Sequence, residues 1–298
     1  MSDVTVIGLG PMGFVLAELL LDASQAVTVW NRNADKAQAL VGRGATLAST
    51  PGAALAASPV TLICVYDYDA VEAILSAGDP STALQDRLIV NLGTGGPDEA
   101  KRIESYVHGH GGRYLDGAIQ AAPSQMGRED TPVFVSGRES DFAKAESLLR
   151  IIAGNLVYLG GKIDAAAYMD LATLSYVYGA YAGFLHGSRI AEVTGINVAT
   201  YGNLVNAISP SFGAFFEHEG GVIASGDFRI TESPLRISIP AVRRILRTSE
   251  QLGINTEIPA VVDGWLQRAA AAGMADEELA ALIKILRTSP AVSPTDRA

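Results

Sequence analysis

Short apolar segments alternate with helical segments over residues 1–160. The apolar segments are too short for helices and predict β-strands. The predicted strands are Val4–Ile7, Ala26–Trp30, Thr61–Val65, Leu88–Leu92, Tyr114–Asp116, Pro132–Gly137 and Val157–Gly160. Strands that alternate with helices are typical of a mostly parallel sheet covered by helices on both faces. The pattern therefore predicts an α/β Rossmann domain at the N-terminal end.

The pattern becomes purely helical in the second half of the chain. From Ala165 to Glu192 the sequence is apolar and rich in small residues, and no turn signal is strong enough to interrupt it. We expect one long α-helix, which more often links two domains or packs against a second subunit than fills a small domain. Further helices are predicted at about Val198–Asn206, Ser211–Glu219, Leu235–Leu252, Pro259–Ala272 and Glu277–Arg287, and the tail Thr288–Ala298 is expected to fray.

A glycine-rich turn follows the first predicted strand. It reads Gly8-Leu9-Gly10-Pro11-Met12-Gly13 and leads into a helical segment. In this G-x-G-x-x-G pattern the first glycine permits the turn, the second lets the backbone approach a pyrophosphate, and the third lets helix and strand pack closely. The free N–H groups at the helix start would then face the phosphates. The alternative is a glycine-rich turn in another kind of α/β protein.

The end of the second predicted strand indicates which dinucleotide binds. Enzymes that use NAD usually carry Asp or Glu there, whereas this chain reads Asn31-Arg32-Asn33-Ala34-Asp35-Lys36. Arg32 can form a two-pronged contact with a 2′-phosphate, and Lys36 follows one helical turn later. NADPH is therefore predicted in preference to NADH. The alternative for Arg32 and Lys36 is an ordinary solvated helix start.

Loops at the carboxyl ends of the strands complete the predicted cofactor site, because ligands bind there in this architecture. The predicted cofactor-binding residues are Gly8, Leu9, Gly10, Pro11, Met12, Gly13, Asn31, Arg32, Asn33, Lys36, Val65 and Thr94. We predict three regions: an NADP-binding Rossmann domain over residues 1–162, a long interdomain helix over 163–195, and an all-α substrate and dimerisation domain over 196–298. No metal site is predicted, because the four histidines lack ligand-like spacing.

Composition narrows the possible partners and location. The net charge of −10 argues against nucleic acid or an anionic membrane as a main partner. No apolar run is long enough for a confident membrane span, and we expect no signal peptide. The one cysteine, Cys64, cannot form an internal disulfide, which favours a cytoplasmic location. It lies in an apolar segment and is predicted to be a buried residue rather than a nucleophile.

One charged residue interrupts the apolar part of the long helix. Asp170 follows Tyr168 and Met169, and a carboxylate is costly there unless it has a partner or a task. Tyr178 is two helical turns further on, on a neighbouring part of the same face. Together with the family resemblance given next, this makes Asp170 and Tyr178 the predicted catalytic residues. The alternatives are a packing carboxylate paired with an arginine or tyrosine, and a packing tyrosine.

The chain resembles the imine reductases and reductive aminases, which are relatives of the β-hydroxyacid dehydrogenases. The resemblance covers nearly the whole sequence. In the nucleotide-binding half it rests on the glycine turn with Trp30-Asn31-Arg32, and on Tyr114-Leu115-Asp116-Gly117-Ala118-Ile119 followed by Pro123 and Met126-Gly127. In and before the long helix it rests on Tyr158-Leu159-Gly160, on Tyr168-Met169-Asp170-Leu171-Ala172, and on Gly183-Phe184-Leu185-His186. By this resemblance Asp170 takes the position of the imine reductase acid, and Tyr178 that of a tyrosine that lines the site.

The same comparison argues against hydroxyacid oxidation. The β-hydroxyacid dehydrogenases carry a lysine on this helix, with an asparagine one turn later, whereas this chain has neither between Asp164 and Ile196. A carboxylate suits a cationic iminium, and it can also deliver a proton if burial raises its pKa. We therefore predict NADPH-dependent reduction of C=N bonds in a small-molecule imine. The rivals are a carbonyl dehydrogenase that uses another proton donor, such as Tyr178, and an NADPH-binding protein without turnover.

Two further expectations come from the resemblance. The family implies a homodimer in which the long helix is exchanged between subunits. Thr94 stands where reductive aminases tend to have asparagine, so the chain is expected to be less suited to coupling a free ketone with an amine than to reducing a preformed imine.

Overall fold

The computed structural model describes residues 2–288, which form two compact units divided between Ser175 and Tyr176. The strands are β1 (Val4–Ile7), β2 (Val27–Trp30), β3 (Thr46–Leu47), β4 (Val60–Ile63), β5 (Leu88–Asn91), β6 (Arg113–Ile119), β7 (Pro132–Gly137) and β8 (Asn155–Tyr158). The helices of the first unit are α1 (Pro11–Asp22), α2 (Gln38–Gly42), α3 (Pro51–Ala57), α4 (Tyr68–Leu75), α5 (Pro80–Leu84), α6 (Pro97–Gly109) and α7 (Glu139–Ile152), with 3₁₀ turns at Ala34–Ala37 and Pro123–Gln125. Later helices are α8 (Ala165–Val193), α9 (Val198–Ser225), α10 (Leu235–Leu252), α11 (Glu257–Ala271) and α12 (Ile283–Thr288), with a 3₁₀ turn at Leu279–Leu282.

The strands form one sheet with the order β3-β2-β1-β4-β5-β6-β7-β8. Neighbouring strands are parallel except β6 and β7, which are antiparallel. The order runs outward in both directions from β1 and β4, so the connections that leave these two strands diverge. Such a switch point opens a crevice at the carboxyl ends of the strands, where ligands bind in open α/β sheets.

Both faces of the central strands are buried, which is why the strands read as continuous apolar runs. Val4 and Val6 of β1 pack on one side of the sheet together with α1 and α7. Ile7 of β1 and Ile89 of β5 belong to the other cluster, which includes residues of α3, α4 and α6. The second unit has its own apolar core, which includes Leu235 and Leu266.

The predicted α/β Rossmann domain followed by a long helix and an all-α region is confirmed. The strand from Pro132 to Gly137 and the helix from Leu235 to Leu252 have the predicted bounds. The long helix runs from Ala165 to Val193, and the boundary between the two units falls within it. The strand β3 was not predicted, because two residues, of which one is exposed, are too few to show a periodic pattern of apolar positions. None of the described helices is both long and apolar enough to cross a membrane.

One prediction for the helical half is wrong. Separate helices were expected at Val198–Asn206 and Ser211–Glu219, but the structure has the single helix α9 with Pro210 inside it. Proline removes one backbone hydrogen bond and usually breaks a helix. Here the hydroxyl groups of Ser209 and Ser211 donate to the carbonyl oxygens of Val205 and Ile208 at 2.7 Å, which supplies local bonds around the proline. The predicted frayed tail lies outside the described residues after Thr288.

Candidate active site and cofactor cleft

The glycine turn has the geometry that a dinucleotide requires. Gly8 has a φ of +94°, and a Cβ there would lie 2.3 Å from the backbone oxygen of Cys64. A Cβ on Gly13 would lie 1.8 Å from the oxygen of Gly8, so only glycine lets α1 pack this closely on the turn. A Cβ on Gly10 would meet nothing within 4 Å. The turn is therefore closed on its protein side and open at the N-terminus of α1, where a pyrophosphate would bind.

The end of β2 is tied to this turn through Asn31. Its Oδ1 accepts the backbone N–H of Leu9 at 2.9 Å, and its Nδ2 donates to the oxygen of Asn33 at 2.9 Å. Asn33 in turn caps a 3₁₀ turn by accepting the N–H of Asp35 at 3.0 Å. Asn31 and Asn33 thus shape the loop that carries Arg32 and Lys36. Both basic side chains are exposed, and Arg32 has no ion-pair partner among residues 2–288.

A cleft of about 570 Å³ lies along this turn and strand end. It is lined by Gly8, Gly10, Pro11, Met12, Gly13, Trp30, Asn31, Arg32, Pro51, Cys64, Val65, Tyr66, Ala70, Ala73 and Ile74. Its lining combines the open helix N-terminus, one unpaired guanidinium and an apolar wall. These are the features that bind phosphates and an adenine ring.

A second cavity of about 510 Å³ shares Met12, Cys64, Val65 and Tyr66 with this cleft, so the two adjoin. Its other lining residues are Asp67, Leu92, Gly93, Thr94, Ala118, Ile119 and Asp170. They come from the carboxyl ends of β4, β5 and β6 and from α8. A dinucleotide whose pyrophosphate lies at α1 would extend its second half into this cavity. We name it the Asp170 cavity.

Asp170 is the buried acid of this cavity, with only 7% of its surface exposed. One carboxylate oxygen, Oδ1, accepts a hydrogen bond from the side-chain Nε2 of Gln120. Burial raises the pKa of Asp170 above its ordinary value, and the Gln120 hydrogen bond opposes that rise. The sequence left open a packing carboxylate paired with arginine or tyrosine, but the side chain that bonds Asp170 is a glutamine.

Gln120 and Thr173 were missed as site residues. The hydroxyl of Thr173, one turn after Asp170 on α8, lies 2.9 Å from Oε1 of Gln120. The signal was available: Gln120 directly follows the Leu115–Ile119 segment on which the family resemblance rests, at the end of β6. Nothing in the sequence pairs it with a residue 50 positions away.

A second buried carboxyl group lies on β6, the strand that contributes Ala118 and Ile119 to the cavity. Asp116, on β6, is 1% exposed, and its Oδ1 accepts hydrogen bonds from the hydroxyl groups of Tyr68 and Tyr114, the latter at 2.9 Å. Burial raises the pKa of Asp116 to about 7, although the two hydroxyl groups oppose this rise, and the negative charge of Asp170 adds to it. The predicted strand from Tyr114 to Asp116 contained this residue without indicating that it would be held by two tyrosines.

The other predicted chemistry-bearing residues have clear positions. Tyr178 is 67% exposed and lies in the second unit, so its catalytic role stays a prediction. Thr94 and Val65 line the Asp170 cavity, whereas Asn33 and Lys36 line neither cavity. Cys64 is partly buried just after β4, and burial raises the pKa of its thiol to about 11, which makes it a poor nucleophile.

The second unit brings together three groups of the type that bind metals. His218, Glu219 and Glu278 each place one ligand atom within 4.8 Å of the others. The Nε2 atom of His218 is 2.9 Å from the hydroxyl oxygen of Thr231, which is 3.0 Å from a Glu278 oxygen. If the Thr231 hydroxyl donates to the carboxylate, Nε2 must carry the proton that the hydroxyl accepts, and a protonated nitrogen is not a metal ligand. The absence of a metal stays a prediction.

Comparisons with known proteins agree with this architecture. Residues 3–160 match the model of the NAD binding domain of 6-phosphogluconate dehydrogenase, and residues 163–288 match that of the NADPH-dependent reductive aminase-like C-terminal domain. An NADPH-dependent reductive aminase from Aspergillus oryzae is 31% identical over 96% of this chain and 97% of its own length. A reductive aminase from Aspergillus terreus, solved with NADPH4, cyclohexanone and allyl amine, superposes with a TM-score of 0.86 at 32% identity, covering 96% of this chain and 100% of that one. An imine reductase from Pseudomonas sp. gives 0.86 at 31% identity over 96% and 99% of the two chains.

A Rossmann sheet, a glycine turn open at a helix N-terminus and a buried carboxyl group in the adjoining cavity define a dinucleotide-dependent oxidoreductase. Both halves of the chain match family models of such enzymes. The sequence similarity to the Aspergillus oryzae reductive aminase, at 31% identity, covers 97% of that protein. The chain belongs to the imine reductase and reductive aminase family.

Proposed function

We propose that this protein is an NADPH-dependent imine reductase, which converts cyclic imines or iminium ions to amines with Asp170 as acid or iminium stabiliser. The observation that carries the proposal is the place of Asp170: a buried carboxyl group in a cavity that adjoins the cleft with the glycine turn and shares four lining residues with it. The family supports the reaction class and the cofactor, since its members found here are reductive aminases and imine reductases, one described as NADPH-dependent and another solved with NADPH4.

The charge of Asp170 suits this reaction better than carbonyl chemistry. When NADPH is bound, it supplies the hydride that adds to the carbon of the C=N bond. The acceptor is most reactive as a protonated, cationic iminium, which a nearby carboxylate stabilises and a lysine would repel. Because burial raises the pKa of Asp170, the same group can hold the proton that the nitrogen needs.

Tyr178 is proposed as the second catalytic residue, bonding the substrate nitrogen or an ordered water. It lies eight positions after Asp170 on α8, and its exposed hydroxyl group makes no hydrogen bond to residues 2–288. In the same proposal, residues 1–162 bind NADP, 163–195 form the long interdomain helix, and 196–298 contribute the substrate and dimerisation domain.

We also propose that the protein is a homodimer in which α8 is exchanged between subunits, and that it works in the cytoplasm. Exposed large apolar side chains support the dimer: α8 carries Leu171, Tyr176, Val177, Tyr181 and Leu185, and α9 carries Leu204, Ile208, Phe212 and Phe216. So much apolar surface on two helices is typical of a subunit interface. Analytical ultracentrifugation of the purified chain tests this, and a monomer at all concentrations would contradict it.

The decisive experiment follows NADPH oxidation at 340 nm with 2-methyl-1-pyrroline, beside a 3-hydroxyacid/NADP⁺ assay. It compares the wild type with Asp170→Asn and Asp170→Ala. We expect imine turnover in the wild type and a fall of about 10²–10⁴-fold in both variants, as for loss of a general acid. Asp164→Asn is the matched control, because Asp164 pairs with Lys101 outside the Asp170 cavity.

The other outcomes separate the rival functions. Hydroxyacid oxidation without imine turnover would make the protein a carbonyl dehydrogenase and Asp170 a packing residue. Tight NADPH binding without turnover of a broad panel of imines would make it a cofactor-binding protein.

A further inference from the structure

The two oxygens of the Asp170 carboxylate have different surroundings. Oδ1 accepts the hydrogen bond from Nε2 of Gln120. Among residues 2–288 the other oxygen, Oδ2, has no hydrogen-bond partner, yet it is not sealed inside the protein. Since Asp170 lines the cavity, Oδ2 is the oxygen left free to meet a ligand there.

Gln120 is itself held at both ends. Its backbone N–H donates to the oxygen of Pro132 at 3.0 Å, which fixes it at the carboxyl end of β6. Its side-chain Oε1 lies 2.9 Å from the hydroxyl oxygen of Thr173. A carboxylate can accept but not donate, so the amide must turn its N–H toward Asp170 while Asp170 is ionised, and Oε1 then faces the hydroxyl donor. The single proton of the Thr173 hydroxyl has three acceptors at 2.9 Å, which are Oε1 of Gln120 and the backbone oxygens of Met169 and Asp170. When it donates to Oε1, it holds the amide with its N–H toward Asp170.

We propose that Gln120 is a positioning residue that holds Asp170 through Oδ1 and leaves Oδ2 as the oxygen that pairs with, or gives its proton to, the substrate nitrogen. The inference rests on the proposed function of Asp170. An N–H donor at Oδ1 disfavours a proton on that same atom, so protonation is directed to Oδ2. The hydrogen bond also fixes the rotation of the carboxylate about its Cβ–Cγ bond, so that Oδ2 is held on the side away from Gln120.

Other titratable groups share this neighbourhood and must be told apart from Asp170. Cys64, Tyr66 and Asp67 line the same cavity, and Asp116 lies close enough for its charge to interact with Asp170. All four are present in the wild type and in every variant below. A change that follows the substitution of Gln120 or Thr173 therefore reports on Asp170, provided that its carboxyl signal is assigned.

The test measures the titration of Asp170 directly, in protein labelled with ¹³C at aspartate carboxyl carbons. The Asp170 signal is assigned as the one missing from Asp170→Asn. In Gln120→Leu the carboxylate loses its donor, and we expect its pKa to rise by about one unit. In Gln120→Leu the part of the kcat/KM pH profile that Asp170 governs should move to higher pH by the same amount. This direction holds whether the protonated acid or the carboxylate is the active form, because in both cases the midpoint follows the pKa of Asp170.

A second pair of variants avoids any effect of Gln120→Leu on folding. Thr173→Val removes the hydroxyl that orients the amide, so a smaller shift in the same direction is expected. Thr194→Val is its matched control, because Thr194 also bonds carbonyl oxygens three and four residues earlier but touches no glutamine. It should leave the titration of Asp170 unchanged.

The outcomes distinguish this inference from the proposed function. An Asp170 pKa that is unchanged or lowered in both Gln120→Leu and Thr173→Val would overturn the role of Gln120, even if Asp170→Asn is inactive. Full imine turnover by Asp170→Asn would instead overturn the proposed function, whatever the two other variants show.

Discussion

The backbone oxygen of Cys64 lies where a side chain on Gly8 would have to be, 2.3 Å from the position of its Cβ. This contact brings the end of β4 against the turn that follows β1. It is the close approach on which the cofactor cleft is built, because the two cavities share Cys64 and Val65 directly beside the turn.

Substitution of Gly8 should therefore impair folding stability, whereas substitution of Gly10 in the same turn should impair cofactor binding. Gly8→Ala puts a Cβ against the backbone of Cys64, just after β4, at a φ of +94°, so we expect destabilisation by more than about 1 kcal/mol. Gly10→Ala places its Cβ in open space, so the protein should fold normally but bind NADPH at least about 10-fold more weakly, because the methyl group occupies the pyrophosphate position. Thermal melting and fluorescence titration with NADPH check both. Equal melting temperatures for the two variants would contradict this assignment of roles.

Arg32 should set the preference between the two nicotinamide cofactors. Its unpaired guanidinium lines the cleft, so Arg32→Ala should weaken NADPH binding about 10–100-fold and leave NADH binding nearly unchanged. Lys36→Ala should have a smaller effect of the same kind, since Lys36 does not line the cleft. Arg43→Ala is a suitable control, because Arg43 is engaged with Glu18 and Asp22. If NADH and NADPH lose affinity equally in Arg32→Ala, the 2′-phosphate contact is wrong.

Asp116 should make stability depend on pH. Burial raises its pKa in the folded protein to about 7, above the value of about 4 expected in the unfolded chain, so the folded state holds the proton more tightly. Its stabilising contribution is present at about pH 4 and is lost as the pH rises toward 7. Asp116→Asn keeps an oxygen that can accept from Tyr68 and Tyr114 but has no group that titrates. The variant should therefore not lose stability as the pH rises from about 4 toward 7.

Urea unfolding of the wild type and Asp116→Asn at about pH 5 and about pH 8 measures the effect. The variant should gain stability relative to the wild type at the higher pH, by at most a few kcal/mol, since one pKa unit corresponds to about 1.4 kcal/mol. Asp98→Asn, on the exposed surface of α6, should show no such difference. A relative gain at the lower pH would mean that the sign is wrong.

Thr94 should influence whether free ketone and amine can be joined. It lines the Asp170 cavity, and by the resemblance drawn from the sequence it stands where reductive aminases tend to have asparagine. Thr94→Asn offers both an amide donor and an acceptor there, so we expect the rate with cyclohexanone and allyl amine to rise relative to the rate with 2-methyl-1-pyrroline. The test is the ratio of these two rates, each measured by NADPH oxidation. A buried threonine such as Thr131 would be an unsuitable control. Thr46→Asn on the exposed part of β3 serves instead, and a ratio that moves equally in both variants would contradict a local role.

Much of the fold was determined by the sequence alone, for a physical reason. Strands buried on both faces are predominantly apolar, and a turn that approaches a phosphate favours glycine, so β1 and the glycine turn leave clear local patterns. The long helix α8 leaves another, because its apolar sequence has no interrupting turn signal. Asp170 stood out because an acid in an apolar helix is costly without a task. The basic residue Arg32 at the end of β2 indicated the cofactor in the same local way.

Only the tertiary structure decided which distant residues meet. Gln120 and Asp170 are 50 positions apart, and neither periodicity nor composition indicates that an amide from the end of β6 will bond a carboxylate on α8. The continuity of α9 through Pro210 is likewise a result of the fold, because local propensity predicts a break at a proline. Burial, too, is a property of the fold: the sequence shows an Asp116, but only its enclosure with Tyr68 and Tyr114 raises its pKa to about 7.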